Sequence, residues 1–269
     1  PQASEPTAPS APMSSAAPAE SAAAASSSAA APASWFWDDP SQTYKSVGDA
    51  PPDCPTPLIE KGALTNISKV KSKSQPGQLR DGEYLINGTY RWSSQGQPYP
   101  KKIVVKMPFD GYVTGAWQFK KGGAPLFGVN LVHPCGLMLR LSKMATPSAD
   151  FKAKVLDQLP PAQEMDSRET FFTPGIWLPK GTPIATSVGI GPPNAPDLIG
   201  AVLDIAIVDL RAPNPQIPSD FQGPQAAPQY LYYGHCFYQG GYLSKEEETF
   251  VAKLPITNKN PKSDTCVAS

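Results

Sequence analysis

The sequence is poor in the residues that most often bind metals or donate protons, and it has no excess of either charge. Of 269 residues, two are histidine and four are cysteine, while Lys plus Arg and Asp plus Glu each number 23, giving a formal net charge of zero. We expect no nucleic-acid partner, because a chain without a basic surplus implies no basic stripe of the kind that neutralises nucleic-acid phosphates. Because no run of about 18 apolar residues occurs, we expect no transmembrane helix in this chain.

Proline and glycine are abundant instead, at 33 and 21 residues. Proline removes a backbone donor and glycine loses conformational entropy in a helix, so both disfavour helical structure. Apolar residues make up 40% of the chain, which is enough to bury a core. The composition therefore predicts an all-β fold.

Three segments differ in composition. Residues 1–34 are almost wholly alanine, serine and proline, so we expect a disordered tether there. Order is expected to begin at Trp35-Phe36-Trp37, the first aromatic cluster. We divide the remainder into a β-rich domain at 35–211 and a proline-rich C-terminal extension at 212–269 that packs on it.

Within the domain, short apolar runs are separated by proline and glycine, a spacing typical of an antiparallel sandwich or barrel. The runs occupy residues 103–105, 111–119, 129–132, 137–141, 184–190 and 201–210.

One helical insertion is predicted at residues 148–159. Phe151, Val155 and Leu159 recur there at four-residue steps, and Pro160-Pro161 ends the pattern.

The four cysteines indicate two disulfides and an exported protein, because disulfides persist in oxidising compartments. Three pairings are possible for Cys54, Cys135, Cys236 and Cys266. We favour Cys236 with Cys266, since that loop would hold the C-terminal extension, which leaves Cys54 with Cys135. The start at Pro1 without a methionine fits a processed chain. We expect an extracytoplasmic location: periplasm, cell envelope or outside the cell.

Three segments resemble the LytM/lysostaphin-type cell-wall endopeptidases, and they occur in the same order. Residues 107–113 (MPFDGYV) are similar to the family's AP-x-DG-x-V strand entry, and residues 180–185 (KGTPIA) to its KGQ-x-IG turn. Residues 205–211 (IAIVDLR) resemble its closing HLHFEVR strand. The resemblance covers about residues 80–211. It implies a peptidase-like domain, related to lipoyl-like barrels, in an exported bacterial protein.

The zinc ligands of that family are absent here. The closing histidine pair is replaced by Ile205 and Ile207, and the H-x-G-x-D segment falls near Asn87 to Arg91. The remaining catalytic histidine corresponds to Arg140. Zinc needs imidazole, thiolate or carboxylate donors, so the resemblance implies neither a zinc cofactor nor hydrolysis by this mechanism.

Both histidines lie beside cysteines, as His133-Pro-Cys135 and His235-Cys236. These four side chains would form a tetrahedral zinc site if the two segments met in space. Their spacing matches no usual zinc signature, so we favour two disulfides over a zinc site.

Four acids near the predicted helix, Asp157, Glu164, Asp166 and Glu169, raise the alternative of a carboxylate pair for glycoside cleavage. Most of them lie in a polar loop after the helix, where charges are usually solvated. We therefore assign no catalytic residue.

The resulting hypothesis is a non-catalytic exported envelope domain that binds cell-wall polymer or an envelope protein. Trp92, Trp117 and Trp177 are the candidates for stacking on sugars, although aromatic residues mostly belong to cores. Two alternatives stay open: a divergent metallohydrolase using His133 and His235, and a structural subunit of a surface layer or appendage.

Overall fold

The computed structural model describes residues 33–38, 41, 43–80, 83–92, 102–189, 201–217, 232–257, 263 and 265–266. The predicted tether, residues 1–34, lies outside this part of the chain except for its last two residues. The division into tether, domain and extension stays a prediction.

The described residues are mainly β-structure, as the composition predicts. In chain order the strands are β1 (Ser34–Asp38), β2 (Thr43–Val47), β3 (Ser72–Ser74), β4 (Gln78–Arg80), β5 (Glu83–Leu85), β6 (Gly88–Arg91), β7 (Val105–Lys106), β8 (Gly111–Lys121), β9 (Ala124–Val132), β10 (Leu137–Pro147), β11 (Gln163–Glu164), β12 (Thr170–Leu178), β13 (Pro183–Val188), β14 (Val202–Asp209) and β15 (Gly234–His235). The described α-helices are α1 (Ala149–Lys154) and α2 (Lys245–Ala252), and neither is long and apolar enough to cross a membrane.

One large sheet holds 11 of these strands, and its main path runs β11-β8-β9-β10-β14-β6-β3. Strand β12 pairs with β8, β13 pairs with β10 and β7, and β15 pairs with β14. All of these pairs are antiparallel except β11 with β8. The described pairings form no closed barrel. They leave a branched sheet in which β10 pairs with β14 along its first half and with β13 along its second.

Both faces of the central strands are buried. On one face, Leu139 and Leu141 of β10 and Ile205 and Ile207 of β14 join the main core. The opposite face carries a second, smaller core that includes Met138, Val208 and Tyr233, against which aromatic residues of the β1–β2 hairpin pack. A strand buried on both faces has few polar positions, so any polar residue there needs a partner.

Helix α1 lies where the four-residue pattern places it. The Ser148 hydroxyl accepts a hydrogen bond from the Phe151 backbone N–H at 3.2 Å. The α-helix ends at Lys154, earlier than predicted, and a 3-10 turn at Leu156–Gln158 completes the segment.

Helix α2 is an addition to the single helix that the sequence predicts. Its start at Ser244-x-x-Glu247 has the sequence of a capping box, a signal that is separate from four-residue periodicity. The Ser244 hydroxyl accepts from the Glu247 N–H at 3.3 Å, while the Glu247 carboxylate turns away to accept from the Gly62 N–H at 3.0 Å. The carboxylate therefore ties α2 to the loop before β3.

Lys73 holds the end of α2 against the sheet. Its side chain is buried, and its Nζ donates to the backbone carbonyls of Val251 at 2.8 Å and Ala252 at 3.4 Å. The ammonium group also lies 4.0 Å from the centre of the Tyr238 ring. The carbonyls at the C-terminal end of a helix carry partial negative charge, which favours a cation there.

Both expected disulfides, Cys54–Cys135 and Cys236–Cys266, are present. The first joins the segment after β2 to the turn between β9 and β10, and the second joins the segment after β15 to the last described residues. Each thus links parts of the chain that no hairpin connects.

Replacing Cys236 and Cys266 with serine should lower the unfolding free energy by about 3.5 kcal/mol, because the unfolded chain loses a cross-link that spans 30 residues. The same change at Cys54 and Cys135, which spans 81 residues, should cost about 1 kcal/mol more. Urea denaturation monitored by tryptophan fluorescence measures both. Equal stability of the oxidised protein and either variant would contradict the cross-linking role.

Lys73 should make stability rise with pH in the alkaline range. Burial lowers the pKa of its ammonium group from 10.5 to about 8. Between these values the unfolded chain binds more protons than the folded chain, so the unfolding free energy increases with pH, by at most about 1.4 kcal/mol per pH unit. The unfolding free energy of wild type, relative to that of Lys73→Met, should therefore increase from about pH 8 to pH 9.5. A constant difference would show that the folded-state pKa is not lowered.

Candidate functional site

The positions aligned with peptidase zinc ligands do not converge in the structure. Residues opposite one another in an antiparallel pair share a face of the sheet. Leu139 lies opposite Ile207 and Arg140 lies opposite Ala206, so Arg140 and the two core isoleucines are on opposite faces. Arg91 lies opposite Val202, which places it on the same face as Arg140 and away from Ile205. Asn87, just before β6, is half-buried.

The cysteines of the hypothetical zinc site are both oxidised, Cys135 with Cys54 and Cys236 with Cys266. A disulfide sulfur is not a thiolate and does not serve as the zinc ligand that this site requires. His133 accepts a hydrogen bond from the Cys135 backbone N–H at its Nδ1, 3.1 Å away. Among the residues that the structure describes, no group of three or more His, Cys, Asp or Glu side chains is arranged to hold a metal.

Burial sets the protonation of both histidines. Desolvation lowers the pKa of His133, while the negative charge of Asp110 acts to raise it. Desolvation likewise lowers the pKa of His235, while the charge of Asp209 acts to raise it. Both rings also pack on aromatic neighbours, His133 on Phe109 at 5.3 Å between ring centres. These contacts are those of packed side chains.

A polar cluster instead occupies the face of the sheet that carries Arg140. The Arg140 Nη1 donates to Glu169 Oε2 at 2.9 Å and to Asn130 Oδ1 at 2.8 Å. Asn130 in turn donates to the other carboxylate oxygen of Glu169. The guanidinium carbon lies 3.8 Å from the centre of the Trp117 ring. We call these four residues the Arg140 cluster.

Sheet register explains why these side chains meet. Trp117, Asn130 and Arg140 come from the adjacent strands β8, β9 and β10, and Asn130 lies directly opposite Arg140. Two glycines make the room: a Cβ at Gly115 would collide with the Glu169 carboxylate, and one at Gly128 would collide with the Trp117 ring. Any larger residue at either position would displace the cluster.

The two charged side chains of the Arg140 cluster are mostly buried. The side chains of Arg140 and Glu169 are 14% and 10% exposed, so each charge depends on the other. Desolvation raises the pKa of Glu169. Arg140 opposes this rise through its positive charge and through its hydrogen bond to the carboxylate. Removing either partner would leave a buried charge without compensation.

A pocket of about 300 Å³ adjoins the cluster, and we call it the polar pocket. Trp117 and Glu169 belong to both. Its further polar lining comes from Gln118, Gln163, Asp166, Arg168 and Thr170, and its apolar lining from Leu159, Pro160 and Pro161. The pocket therefore combines hydrogen-bonding groups with apolar surface.

Hydrogen bonds orient three side chains of the polar pocket. Arg168 donates from Nε and Nη2 to the two oxygens of Asp166, at 2.9 and 2.7 Å. The hydrogen bond from Arg168 lowers the pKa of Asp166. Gln118 donates through Nε2 to the Pro160 carbonyl at 2.6 Å, which leaves its amide oxygen to accept.

The structure brings together two of the four acids singled out in the sequence, Asp166 and Glu169. The others have local roles. Glu164 accepts from the backbone N–H groups of Gly122 and Gly123 at 2.6 and 3.1 Å, which secures the β8–β9 turn, and Asp157 pairs with Lys152.

The three tryptophan candidates separate by exposure. Trp92 and Trp117 are buried, whereas Trp177 is 42% exposed and packs edge-on against Tyr112, with 4.9 Å between ring centres.

Sequence reasoning missed Asn130 entirely. Its signal was a lone amide within the apolar run of β9, where an unpaired polar side chain would be costly.

The Arg140–Glu169 pair should show strong coupling in a double-mutant cycle. Arg140→Met strands a buried carboxylate, so it should lower the unfolding free energy by about 3–5 kcal/mol. Combining it with Glu169→Gln should cost clearly less than the sum of the two single changes. Denaturant titration measures all four proteins, and Lys152→Met, which breaks the exposed pair with Asp157, serves as control at under about 1 kcal/mol. Additive effects of Arg140→Met and Glu169→Gln would contradict the pairing.

Compared with models of protein families, with curated proteins and with solved structures, the chain gives no match in any of the three. The likeness to LytM/lysostaphin-type peptidases accordingly depends on the three sequence segments alone.

Proposed function

We propose that this chain is an exported, non-catalytic domain of the cell envelope that binds a carbohydrate polymer of the cell wall through the polar pocket. The observation that carries the proposal is the group of hydrogen-bonding side chains, Gln118, Asp166, Arg168 and Thr170, that line one pocket beside the sheet. Sugar hydroxyls both donate and accept, so they need such a mixture of carboxylate, amide, hydroxyl and guanidinium groups.

The shape of the pocket supports a sugar-sized ligand. Its volume of about 300 Å³ is at the lower end of small-molecule sites. Leu159, Pro160 and Pro161 offer apolar surface for the C–H faces of a sugar ring, between the polar groups. The Arg140 cluster underneath fixes Glu169 and Trp117, which keeps the wall of the pocket rigid.

Location outside the cytoplasm is supported by the two disulfides, because these bonds persist in oxidising compartments. The sequence resemblance to cell-wall endopeptidases is what suggests wall polymer as the ligand. Glu169 has both carboxylate oxygens engaged by Arg140 and Asn130, which favours a positioning role over proton transfer.

Glycoside hydrolysis is the second candidate, and one observation favours it. Asp166 and Glu169 line the same pocket, and their pKa values move in opposite directions, down for Asp166 and up for Glu169. Such divergence is a pattern of acid and base pairs in glycosidases. The metallohydrolase and surface-layer alternatives stay predictions.

Arg168→Ala should weaken binding to purified cell-wall polymer about tenfold, because a charged hydrogen-bonding group is lost from the pocket. The chain offers a matched control in Arg211→Ala: Arg211 pairs with Asp209 across the same i, i+2 spacing, at 2.6 Å, but does not line the polar pocket. Co-sedimentation with wall polymer and titration with its soluble fragments measure the affinity. Equal binding by both variants and wild type would refute the pocket as the site.

The same samples separate binding from hydrolysis. A binding domain leaves the polymer intact, so no new reducing ends should accumulate during incubation. Release of reducing ends by wild type, lost in Glu169→Gln, would replace the binding proposal with the hydrolase.

A further inference from the structure

A second pocket, which we call the lysine pocket, lies at residues 62–69, 92 and 102–106, and it shares none of its described lining residues with the polar pocket. Its volume is about 340 Å³. Three lysines line it, Lys69, Lys102 and Lys106, together with Thr65 and Asn66, and none of the described residues in its lining is acidic.

The concentration of positive charge is notable in a chain whose formal net charge is zero. Within the described part of the chain, none of these three ammonium groups takes part in an ion pair, whereas Lys45, Lys143, Lys152 and Lys180 all do. Like charges around one concave surface repel each other and raise the local concentration of anions. The lysine pocket should therefore attract negatively charged ligands.

Thr65 provides an independent observation. It is 3% exposed, and its hydroxyl oxygen has no hydrogen-bond partner in the described structure. A buried hydroxyl without a partner costs roughly 1–3 kcal/mol, so such groups are rare unless a ligand or water completes them. Thr65 lines the lysine pocket, and it also lines a separate small cavity together with Tyr90 and Glu247. An oxygen-rich ligand in the lysine pocket that reaches the hydroxyl would supply its partner.

The walls of the lysine pocket are held by the main chain. The backbone N–H of Ile103 donates to the Thr186 carbonyl at 3.0 Å, and that of Lys106 donates to the Leu64 carbonyl at 2.9 Å. Lys69 lies in a 3-10 turn whose start is capped by Asn66, which accepts from the Ser68 N–H at 3.0 Å. The positions from which the three lysines extend are thus fixed before any ligand binds.

We propose that the lysine pocket binds a phosphate group. Phosphate presents several acceptor oxygens and up to two negative charges in a compact shape, which matches three ammonium groups and one hydroxyl donor. The phosphate is either esterified to a larger molecule, such as a phosphate-bearing glycopolymer, or free in solution. The site is independent of the proposed carbohydrate binding.

Titration of the intact protein with inorganic phosphate at low, constant ionic strength tests the site, monitored by calorimetry and by NMR shifts of the backbone amides. We expect saturable binding that weakens as salt is added. The double variant Lys69→Gln/Lys102→Gln should lose at least about tenfold in affinity. Lys245→Gln/Lys253→Gln, which removes the same charge from exposed lysines of α2 and its C-cap, should bind as wild type does.

Thr65→Val adds a test that does not involve net charge. The variant keeps the shape of the side chain and removes the unpartnered hydroxyl, so the affinity for phosphate should fall about fivefold. Phosphate should also raise the melting temperature of wild type and not that of the lysine double variant. Unchanged affinity in Thr65→Val or in Lys69→Gln/Lys102→Gln, or an equal response to chloride, would overturn the site.

The source of the phosphate follows from a parallel titration with glycerol 3-phosphate. Tighter binding of the ester than of inorganic phosphate assigns the pocket to an esterified group, and the reverse order assigns it to the free ion. Either result supports the site only if Lys69→Gln/Lys102→Gln also weakens the binding. Loss of wall binding in Arg168→Ala leaves this outcome unaffected, because the two pockets share none of their described lining residues.

Discussion

The register of β10 against β14 determines which residues form the main core and which form the Arg140 cluster. Successive residues of a strand face opposite sides of the sheet. With Leu139 and Leu141 committed to the main core, Arg140 must lie on the other face, and with Ile205 and Ile207 buried beside them, Ala206 must lie there too. The polar cluster exists because that second face is also covered, so a charge on it needs Glu169 and Asn130 as partners.

The C-terminal segment belongs to the same structure through a few specific contacts. Strand β15 pairs with β14, Lys73 binds the last turn of α2, and Glu247 binds the loop at Gly62. The Cys236–Cys266 disulfide adds a covalent link. These contacts join residues far apart in sequence, so forming them costs chain entropy on folding, and burial around Phe237 and Val251 offsets that cost.

The two pockets differ in chemistry and together suggest how the chain would recognise a charged polysaccharide. The polar pocket presents paired charges and groups suited to hydroxyls, while the lysines of the lysine pocket have no ion-pair partner among the described residues. A polymer whose sugar rings and phosphates span both pockets would gain affinity through effective concentration. Of the positions aligned with the peptidase ligands, Ile205 and Ile207 belong to a packed core, and Arg140 acts on the polar pocket only through Glu169 and Trp117.

The amino-acid sequence by itself determined the β-rich class, the helix after Ser148 and the two disulfides. Composition, four-residue periodicity and an even number of cysteines are local or countable properties, so they survive without knowledge of the fold. Helix α2 was missed because its only clear signal is a capping box, and residues 103–105 pair over a shorter stretch than their β-branched character predicts. The sequence does not show which face Arg140 occupies, that Asp166 and Glu169 share a pocket, or that the three lysines of the lysine pocket have no counter-charge among the described residues. Those facts depend on strand register and on contacts between distant residues, and the identity of the residues alone does not specify either.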